Sequence, residues 1–418
     1  MTEKIIVSPV ADGGVGWSAI DDQEIEAVIK TLKMPENLFR YNDDFQDGFQ
    51  TQCMLLEKEL SLKTGIKHAL FVASGTSALT LSLSAYGIGP GDEVIIPGYT
   101  YIATASAVTN AGAVPVIAEI DDSLSLDPVD AESKITPYTK AIIAVHMQGV
   151  PGRVAALRNL AKKHNLVLIE DACQAVGSTY QGAHSGANSH ASAWSLNFYK
   201  ILTCGEGGVF FCNDDDAFIR GVNAHDPGSP MWKSGLTRGS LLAPFTQLGV
   251  RGNEVCAAIA RVQLTKLDNI LGKTRSLKKA FLSHLAKPVH YKLQHLDDPE
   301  GDCGISAALI VCDKETTQRM SAMLNDAGME IGSAYNHGFP DRHIYSYWDS
   351  ILTKQGTTAL GYPWADPSYK GKVEYSKEMC PVTLDLLSRS LRISIHLKLT
   401  EQNMIEFANA INYVDARL

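Results

Sequence analysis

The sequence predicts an α/β fold in which a mostly parallel, seven-stranded sheet carries helices on both faces and precedes a smaller C-terminal α+β domain. Three observations predict this fold. Short apolar runs rich in Val and Ile recur along the first half of the chain, as in strands buried on both faces. The first six runs are separated by enough residues for a crossover helix, which parallel strands require. The pattern changes after Asp214, where the apolar runs become sparse.

Seven segments are predicted as strands of the sheet. They are His68–Val72, Glu93–Pro97, Val114–Ala118, Ala141–Val145, Leu166–Ile169, Ala193–Leu196 and Val209–Cys212. Only about a dozen residues, many of them glycine, separate the last two segments. Because this spacing is short for a crossover helix, we expect the seventh strand to run antiparallel.

The rest of the chain is predicted to form a second, smaller domain. We place a large domain at residues 1–273 and a small one at 274–418, with an N-terminal arm of roughly residues 1–35 that packs on the small domain. Gly221–Gly249 is rich in Gly, Pro and Ser without clear periodicity and predicts a long loop. Asn253–Leu271 has the apolar spacing of a helix.

The small domain has its own elements in the sequence. Ala307–Val311 and Leu391–Ile395 read as strands. Thr400–Val414 predicts a final helix, with Thr400 as its N-cap.

Composition limits the kinds of function. The 418 residues are 45% hydrophobic and 20% charged, as in ordinary globular proteins, and the net charge of -9 argues against nucleic acid or an anionic membrane as a partner. The eight cysteines include no C-x-x-C pair, so we predict no metal site. Met1–Gly14 lacks a signal-peptide pattern, and no apolar run approaches the roughly 18 residues of a membrane span. We therefore expect a cytoplasmic enzyme.

A phosphate-binding turn is predicted at Ser74–Ala78, which reads S-G-T-S-A. The segment follows a strand and opens a helix, so backbone amides are free at the helix N-terminus and Gly75 allows close approach. A plain turn capped by Ser74 or Thr76 explains the same residues.

Two charged residues stand where ligands bind in open α/β sheets. Asp171 ends an apolar strand within L-V-L-I-E-D-A-C-Q-A-V-G, so its carboxylate could hold a cationic ring nitrogen or cap a helix. Lys200 lies between two apolar strands in W-S-L-N-F-Y-K-I-L-T-C-G-E-G-G. A buried lysine can form a Schiff base with an aldehyde, whereas an exposed one is an ordinary surface charge.

In this order and spacing, the motifs resemble those of the DegT/DnrJ/EryC/StrS sugar aminotransferases, which belong to the aspartate-aminotransferase-like, fold type I pyridoxal-phosphate enzymes. The resemblance covers nearly the whole chain. It includes F-Q-T-Q-C-M-L-L-E-K-E-L from Phe49, then G-I-G-P-G-D-E-V-I-I-P, I-E-D-A-C-Q-A-V-G, the lysine loop with G-E-G-G, and L-R-I-S-I-H near the end. The lysine loop and E-D-A-C-Q-A are its most specific parts.

The resemblance implies pyridoxal 5'-phosphate as the cofactor and assigns roles around its ring. Lys200 would form the Schiff base with the cofactor and carry the proton between substrate and cofactor. Asp171 would pair with the protonated pyridine nitrogen, which keeps the ring able to absorb electrons. Gln174 would contact the ring hydroxyl, and Tyr101 would stack on the ring face.

The resemblance also implies which residues bind the cofactor phosphate. Gly75 and Thr76 would bind it through backbone amides, and Ser195 would add a hydroxyl. His146 matches a family histidine near the sheet edge, and a structural role suits it equally well.

Two stretches depart from the family pattern. Gln247–Glu254 reads Q-L-G-V-R-G-N-E, so Gly249 or a neighbour stands where the family has an asparagine that crosses the dimer to the phosphate. Ser333–Ser350 also differs and is expected to help shape the substrate site. Arg251 and Arg392 could each hold a substrate carboxylate or form structural ion pairs.

The resemblance implies transfer of an amino group from glutamate or glutamine to a keto or aldehyde sugar. The departures favour a free eight-carbon acid, 8-oxo-3-deoxy-octulosonate, used in lipopolysaccharide sugar synthesis, and a nucleotide-linked keto-hexose is the alternative. Lys200 favours a transaminase, because related sugar dehydratases carry histidine at this position. A dehydratase and a catalytically silent relative are further alternatives. A homodimer with shared active sites is implied, with the Gly221–Gly249 loop reaching the partner. A nicotinamide Rossmann enzyme is excluded, because no G-x-G-x-x-G follows the first strand.

Overall fold

The computed structural model describes residues 6–10, 13–33, 38–41, 50–226, 248–336, 338–358 and 361–418. The strands within these residues are β1 (His68–Val72), β2 (Glu93–Pro97), β3 (Val114–Ala118), β4 (Thr139–Val145), β5 (Val167–Asp171), β6 (Thr179–Tyr180), β7 (Ala183–His184), β8 (Ala191–Ser195), β9 (Gly208–Cys212), β10 (Tyr291–Leu293), β11 (Ser306–Val311) and β12 (Ser390–Ser394). The α-helices are α1 (Asp22–Leu32), α2 (Gln52–Thr64), α3 (Gly75–Ala85), α4 (Ala103–Asn110), α5 (Pro128–Ser133), α6 (Val154–His164), α7 (Asp215–His225), α8 (Glu254–His284), α9 (Lys314–Asp326), α10 (Asp349–Leu352), α11 (Pro381–Ser388) and α12 (Glu401–Asp415).

The large sheet has seven strands in the order β1-β9-β8-β5-β4-β2-β3. The pairings among β8, β5, β4, β2 and β3 are all parallel. Strand β9 pairs antiparallel with both of its neighbours, β1 and β8. The predicted mostly parallel sheet and its antiparallel seventh strand are therefore confirmed.

Helices cover both faces of this sheet. On β2, Val94 and Ile96 pack in one apolar cluster with α3, α4 and α7, whereas Ile95 packs in a second cluster with α5 and α6. A third cluster sits under α2 and α8. Because alternate residues of a strand face opposite sides, an uninterrupted apolar run such as this one is buried on both.

Two details of the sequence prediction were wrong. The connection from β5 to β8 consists of turns and the β6–β7 hairpin, with no crossover helix. Residues 221–225, predicted as loop, end helix α7, which Asp214 caps by accepting a hydrogen bond from the Ala217 amide at 2.7 Å. Glycine is required at position 221 of this helix, because a β-carbon there would lie 2.6 Å from Phe210. The rest of the predicted loop, residues 227–247, lies outside the described residues.

The C-terminal part is built on the antiparallel sheet β10-β11-β12. Helix α8 runs unbroken through residue 273, contributing Leu267 to the core beneath the large sheet and Phe281 to the core of the small one. The proposed boundary at 273/274 therefore falls within a helix that two cores share. The described start of the arm lies with the small sheet: Val7 is in its core and donates a hydrogen bond to the Ala327 carbonyl at 2.8 Å.

Within the described ranges, no helix combines the length and the apolar character needed to cross a lipid bilayer.

Candidate active site

A cavity of about 480 Å³ opens at the carboxyl ends of the parallel strands, beside the N-terminus of α3. All of the predicted site residues line it. They are Gly75, Thr76, Tyr101, Asp171, Gln174, Ser195 and Lys200. The structure thus brings these side chains and amides together, while their chemical roles stay predictions.

The N-terminus of α3 forms one end of the cavity. Ser74 caps the helix by accepting a hydrogen bond from the Ser77 amide at 3.1 Å. The amides of Gly75 and Thr76 have no acceptor among the described residues. A β-carbon at Gly75 would lie 2.8 Å from both the Cys173 sulfur and the Ser195 β-carbon, so only glycine fits. Free amides at a helix N-terminus suit an anion such as a phosphate.

Asp171 is the last residue of β5 and is almost fully buried. Its Oδ2 accepts a hydrogen bond from the Thr104 hydroxyl at 2.8 Å, and its Oδ1 accepts one from the Cys173 amide at 3.1 Å. The Thr104 hydroxyl also lies 2.7 Å from that of Thr100. Two donors therefore fix the orientation of the carboxylate, which keeps further lone pairs for a cationic group in the cavity.

Gln174 reaches the cavity from a turn that follows β5. Its Oε1 accepts a hydrogen bond from the Gln148 amide at 3.2 Å, which leaves the side-chain NH₂ as a donor. Gln148 has a φ of 60°, a left-handed conformation that costs free energy in a residue other than glycine. Such strain behind the cavity suits a residue that positions Gln174.

Lys200 lies in the turn between β8 and β9 and is half-buried. Its backbone amide donates to the Asn197 carbonyl at 2.9 Å, and its carbonyl accepts from the Gly16 amide at 3.0 Å. Its side-chain amine has no hydrogen bond or ion pair with any described residue. Burial, and next the Asp171 carboxylate, raise the pKa of the neighbouring Cys173 thiol, so that thiol stays protonated at neutral pH.

His146 lies behind the cavity rather than in it. Its Nδ1 accepts a hydrogen bond from the Gly152 amide at 3.1 Å, so its Nε2 carries the proton and donates to Glu170 at 2.9 Å. Both side chains are fully buried. The structure therefore favours a structural role for His146.

Several lining residues were not singled out from the sequence, among them Thr104, Cys173 and His343. The His343 ring centroid lies 5.2 Å from that of Tyr101, and its Nδ1 lies 2.7 Å from a carboxylate oxygen of Asp341. His343 falls within Ser333–Ser350, the stretch expected to help shape the substrate site, although the residue itself was not named. Thr104 could have been predicted, because it lies at the start of α4, three residues after Tyr101.

The residues whose roles were left open fall in different places. Arg251 forms an ion pair with Asp226 at 3.4 Å. Arg392 forms no ion pair or hydrogen bond with a described residue. In the stretch 333–350, Trp348 and Tyr345 are buried against the large sheet, whereas His337 lies outside the described residues.

Known proteins resemble this chain in sequence. The model of the DegT/DnrJ/EryC1/StrS aminotransferase family matches residues 42–355. The chain is 41% identical over 260 residues to GDP-perosamine synthase of Caulobacter vibrioides, a match that covers 60% of this chain and 64% of that protein's length.

Solved structures share the fold along the whole chain. DesV of S. venezuelae is 26% identical with a TM-score of 0.74, covering 99% of this chain and 100% of that one. 3-Amino-5-hydroxybenzoic acid synthase, at 23% identity, has a TM-score of 0.77 with the same coverage and shows the fold alone. The predicted fold type, and pyridoxal phosphate as the cofactor that the family uses, are confirmed. The chain belongs to the DegT/DnrJ/EryC1/StrS aminotransferase family.

Proposed function

We propose that this chain is a pyridoxal-phosphate-dependent aminotransferase that moves an amino group from glutamate or glutamine to the carbonyl of a keto or aldehyde sugar. One observation carries the proposal. A single cavity holds an unpaired lysine amine, a carboxylate fixed by two donors, and a helix N-terminus with free amides.

The hydrogen-bonding groups that line the cavity fit the cofactor. Gly75, Thr76 and Ser195 would hold its phosphate, because free amides and a hydroxyl meet where Gly75 leaves no room for a side chain. Asp171 would hold the ring nitrogen, and the side-chain NH₂ of Gln174 would hold the ring hydroxyl. When bound, pyridoxal phosphate supplies an aldehyde that takes up the amino group and a ring that absorbs electrons.

The chain's own residues would then do three things. Lys200 carries the only side-chain amine among the described residues that line the cavity, so its Nζ would hold the aldehyde and move the proton. Asp171 would keep a positive charge on the ring nitrogen, because a negative carboxylate, oriented by Thr104 and the Cys173 amide, favours the protonated form of a nearby base. Tyr101, 47% exposed beside His343, would lie against the ring.

Two classes of acceptor are supported by different observations. The relative named GDP-perosamine synthase favours a nucleotide-linked keto-hexose. The unpaired guanidinium of Arg392 favours an acid such as 8-oxo-3-deoxy-octulosonate, which would place the enzyme in lipopolysaccharide sugar synthesis. Comparing amination of these two compounds separates the alternatives.

Exposed apolar side chains beside the cavity support the homodimer. Phe198 and Tyr199, next to the proposed catalytic lysine, are 44% and 80% exposed, and Leu248 is 53% exposed. A second copy covering them would complete a shared active site. Light scattering after gel filtration measures the subunit number directly.

The decisive experiment traps the cofactor on the protein. Incubation with pyridoxal phosphate, reduction with borohydride and peptide mass spectrometry should place the adduct on Lys200. Lys200→Ala should abolish it, whereas Lys279→Ala, an exposed lysine on α8, should leave it unchanged. Glutamate should then convert the unreduced enzyme to its pyridoxamine form. An adduct elsewhere overturns the site, and no response to any amino donor favours a dehydratase or a silent relative.

A further inference from the structure

A segment near the N-terminus lies directly on the turn that carries Lys200. Residues 13–19, the N-terminal strap, end in a short 3₁₀ helix, Trp17–Ala19. The Gly16 amide donates a hydrogen bond to the Lys200 carbonyl at 3.0 Å. A β-carbon at Gly16 would lie 2.5 Å from that carbonyl oxygen, so this close approach requires glycine. The strap therefore contacts the backbone of Lys200 itself.

The turn that carries Lys200, residues 197–203, has no helix or strand of its own. One backbone hydrogen bond closes it, from the Lys200 amide to the Asn197 carbonyl at 2.9 Å. Among the described residues, Gly16 is the only one outside this turn whose backbone hydrogen-bonds to the backbone of the turn. The place of Lys200 in the cavity therefore depends on the strap.

Trp17 makes the second contact between the strap and this turn. Its ring stacks on that of Phe198, with the ring centroids 5.7 Å apart and the planes 8° apart. The Nζ of Lys398 lies 5.2 Å from the centroid of the Trp17 ring, within the range of a cation–π contact. The tryptophan thus connects the turn, two residues before Lys200, with the segment that follows β12.

The strap is also anchored away from the turn. A β-carbon at Gly13 would lie 2.4 Å from the His396 ring, so the strap runs close to the segment after β12. Val15 and Ala19 pack against the apolar core under α2 and α8. Lys266 on α8 donates a hydrogen bond to the Ala19 carbonyl at 2.9 Å. These anchors allow the strap to hold the turn in one position.

We propose that Trp17 is a positioning residue for Lys200, and that the N-terminal strap holds the turn so that the Lys200 amine stays in place for the cofactor aldehyde. The proposal rests on the proposed role of Lys200. A lysine amine sits on a flexible stem, so movement of its backbone lowers the fraction of molecules in which the amine is correctly placed. Trp17 is not among the described residues that line the cofactor cavity, so it acts through the turn.

The test compares two forms of the cofactor on the enzyme freed of cofactor. Pyridoxal phosphate carries the aldehyde that would bond to the lysine amine, whereas pyridoxamine phosphate lacks it and binds through the other contacts alone. Equilibrium dialysis gives the Kd of each form. The variants are Trp17→Ala, Trp17→Phe, which keeps a ring to stack on Phe198, and Gly16→Ala, which places a β-carbon against the Lys200 carbonyl.

Two controls match these changes. Trp364→Ala removes another partly buried tryptophan, whose ring packs on Tyr375 with the centroids 6.3 Å apart. Gly272→Ala adds a β-carbon to a glycine of α8 where no atom lies within 4 Å of it.

Trp17→Ala and Gly16→Ala should each raise the Kd of pyridoxal phosphate roughly 3- to 10-fold, as for loss of one hydrogen bond or one aromatic pair. The Kd of pyridoxamine phosphate should change less than about twofold in both variants. Trp17→Phe and the two controls should stay within about twofold of wild type for both forms.

Equal rises for both cofactor forms would show that the strap supports only the fold and would overturn the proposal. An unchanged Kd of pyridoxal phosphate in both variants overturns it too, and a Trp17→Phe enzyme as weak as Trp17→Ala rules out the ring stack as the cause.

Hydrogen exchange on the wild-type enzyme, measured residue by residue without cofactor, needs no variant to fold. The Gly16 amide should exchange slowly, because it donates to the Lys200 carbonyl, and exchange as fast as in an unstructured chain would overturn the proposal. A wild-type enzyme that forms no borohydride-trapped adduct on Lys200 would instead refute the proposed function, whatever the exchange rate of Gly16.

Discussion

Thr104 offers a direct test of how the site is held, because its hydroxyl is one of two donors to the Asp171 carboxylate. Thr104→Val keeps the shape of the side chain and removes the 2.8 Å hydrogen bond. Both residues are buried, at 1% and 4% exposure, so water cannot replace the lost donor. The Cys173 amide would then hold the carboxylate alone.

The size of the effect follows from the kind of bond removed. A hydrogen bond to a charged group contributes about 1.5–3 kcal/mol. Since about 1.4 kcal/mol corresponds to a factor of ten, full expression of this loss slows the reaction roughly 10- to 100-fold. Asp171 is proposed to contact the cofactor and not the substrate, so the loss should fall on kcat and leave KM for the donor nearly unchanged.

The assay is the single-turnover half-reaction of cofactor-saturated enzyme with glutamate. Thr104→Ser restores the hydroxyl and should stay within about threefold of wild type. Thr109→Val is the matched control, because that buried hydroxyl on the same helix donates at 3.0 Å only to the Ser106 carbonyl. The reasoning is refuted if Thr104→Val matches wild type, or if Thr104→Ser is as slow as Thr104→Val.

Two further predictions concern packing and a reactive thiol. Gly75→Ala places a β-carbon 2.8 Å from both Cys173 and Ser195, and such overpacking costs about 1–3 kcal/mol, so the cofactor Kd from fluorescence titration should rise roughly 5- to 100-fold. An unchanged Kd would show that the turn accommodates the β-carbon without loss of cofactor binding. Hydrogen bonding, chiefly from the Cys204 thiol, lowers the pKa of Cys256 to about 6. Because the thiolate is the nucleophile, alkylation of Cys256 by iodoacetamide should reach half its maximal rate near pH 6, and a midpoint above about pH 8 would contradict this.

The large sheet could be predicted because its strands are apolar along their whole length. The segment E-V-I-I-P of β2 is buried at every position, and it is too short for a helix between the turns on either side. The start of β8 was missed because A-S-A-W-S is made of small and polar residues. Ser192 is fully buried there, and a buried serine cannot be told from a loop serine by sequence pattern alone.

Site residues that lie in local sequence motifs could be predicted, whereas those that reach the site through tertiary packing could not. Asp171 and Lys200 stand at strand ends within recognisable motifs, so position and chemistry pointed the same way. His343 reaches the site through the packing of the C-terminal part on the large sheet, which no local pattern encodes. Ala308, the cross-strand partner of Arg392, packs in the apolar cluster of the large domain, so the register of β12 with β11 turns Arg392 toward that domain, and a shift of one residue would turn it away.

Substitution of His146 tests whether this residue stabilises the fold or acts in catalysis. His146→Leu leaves the fully buried Glu170 carboxylate without its 2.9 Å partner. The expected loss is about 1.5–3 kcal/mol of unfolding free energy, measured by urea denaturation, since the hydrogen bond is to a charged group. Because His146 does not line the cavity, the kcat of the folded, cofactor-saturated variant should stay within about threefold of wild type.

The double variant His146→Leu/Glu170→Leu decides between the two roles. Removing both partners of a buried hydrogen bond leaves no unsatisfied charge, so much of the lost stability should return. A structural pair therefore predicts a double variant more stable than His146→Leu, with kcat little changed in both. A kcat that falls more than about tenfold in His146→Leu, without a loss of stability, would instead show that His146 acts in catalysis from behind the sheet.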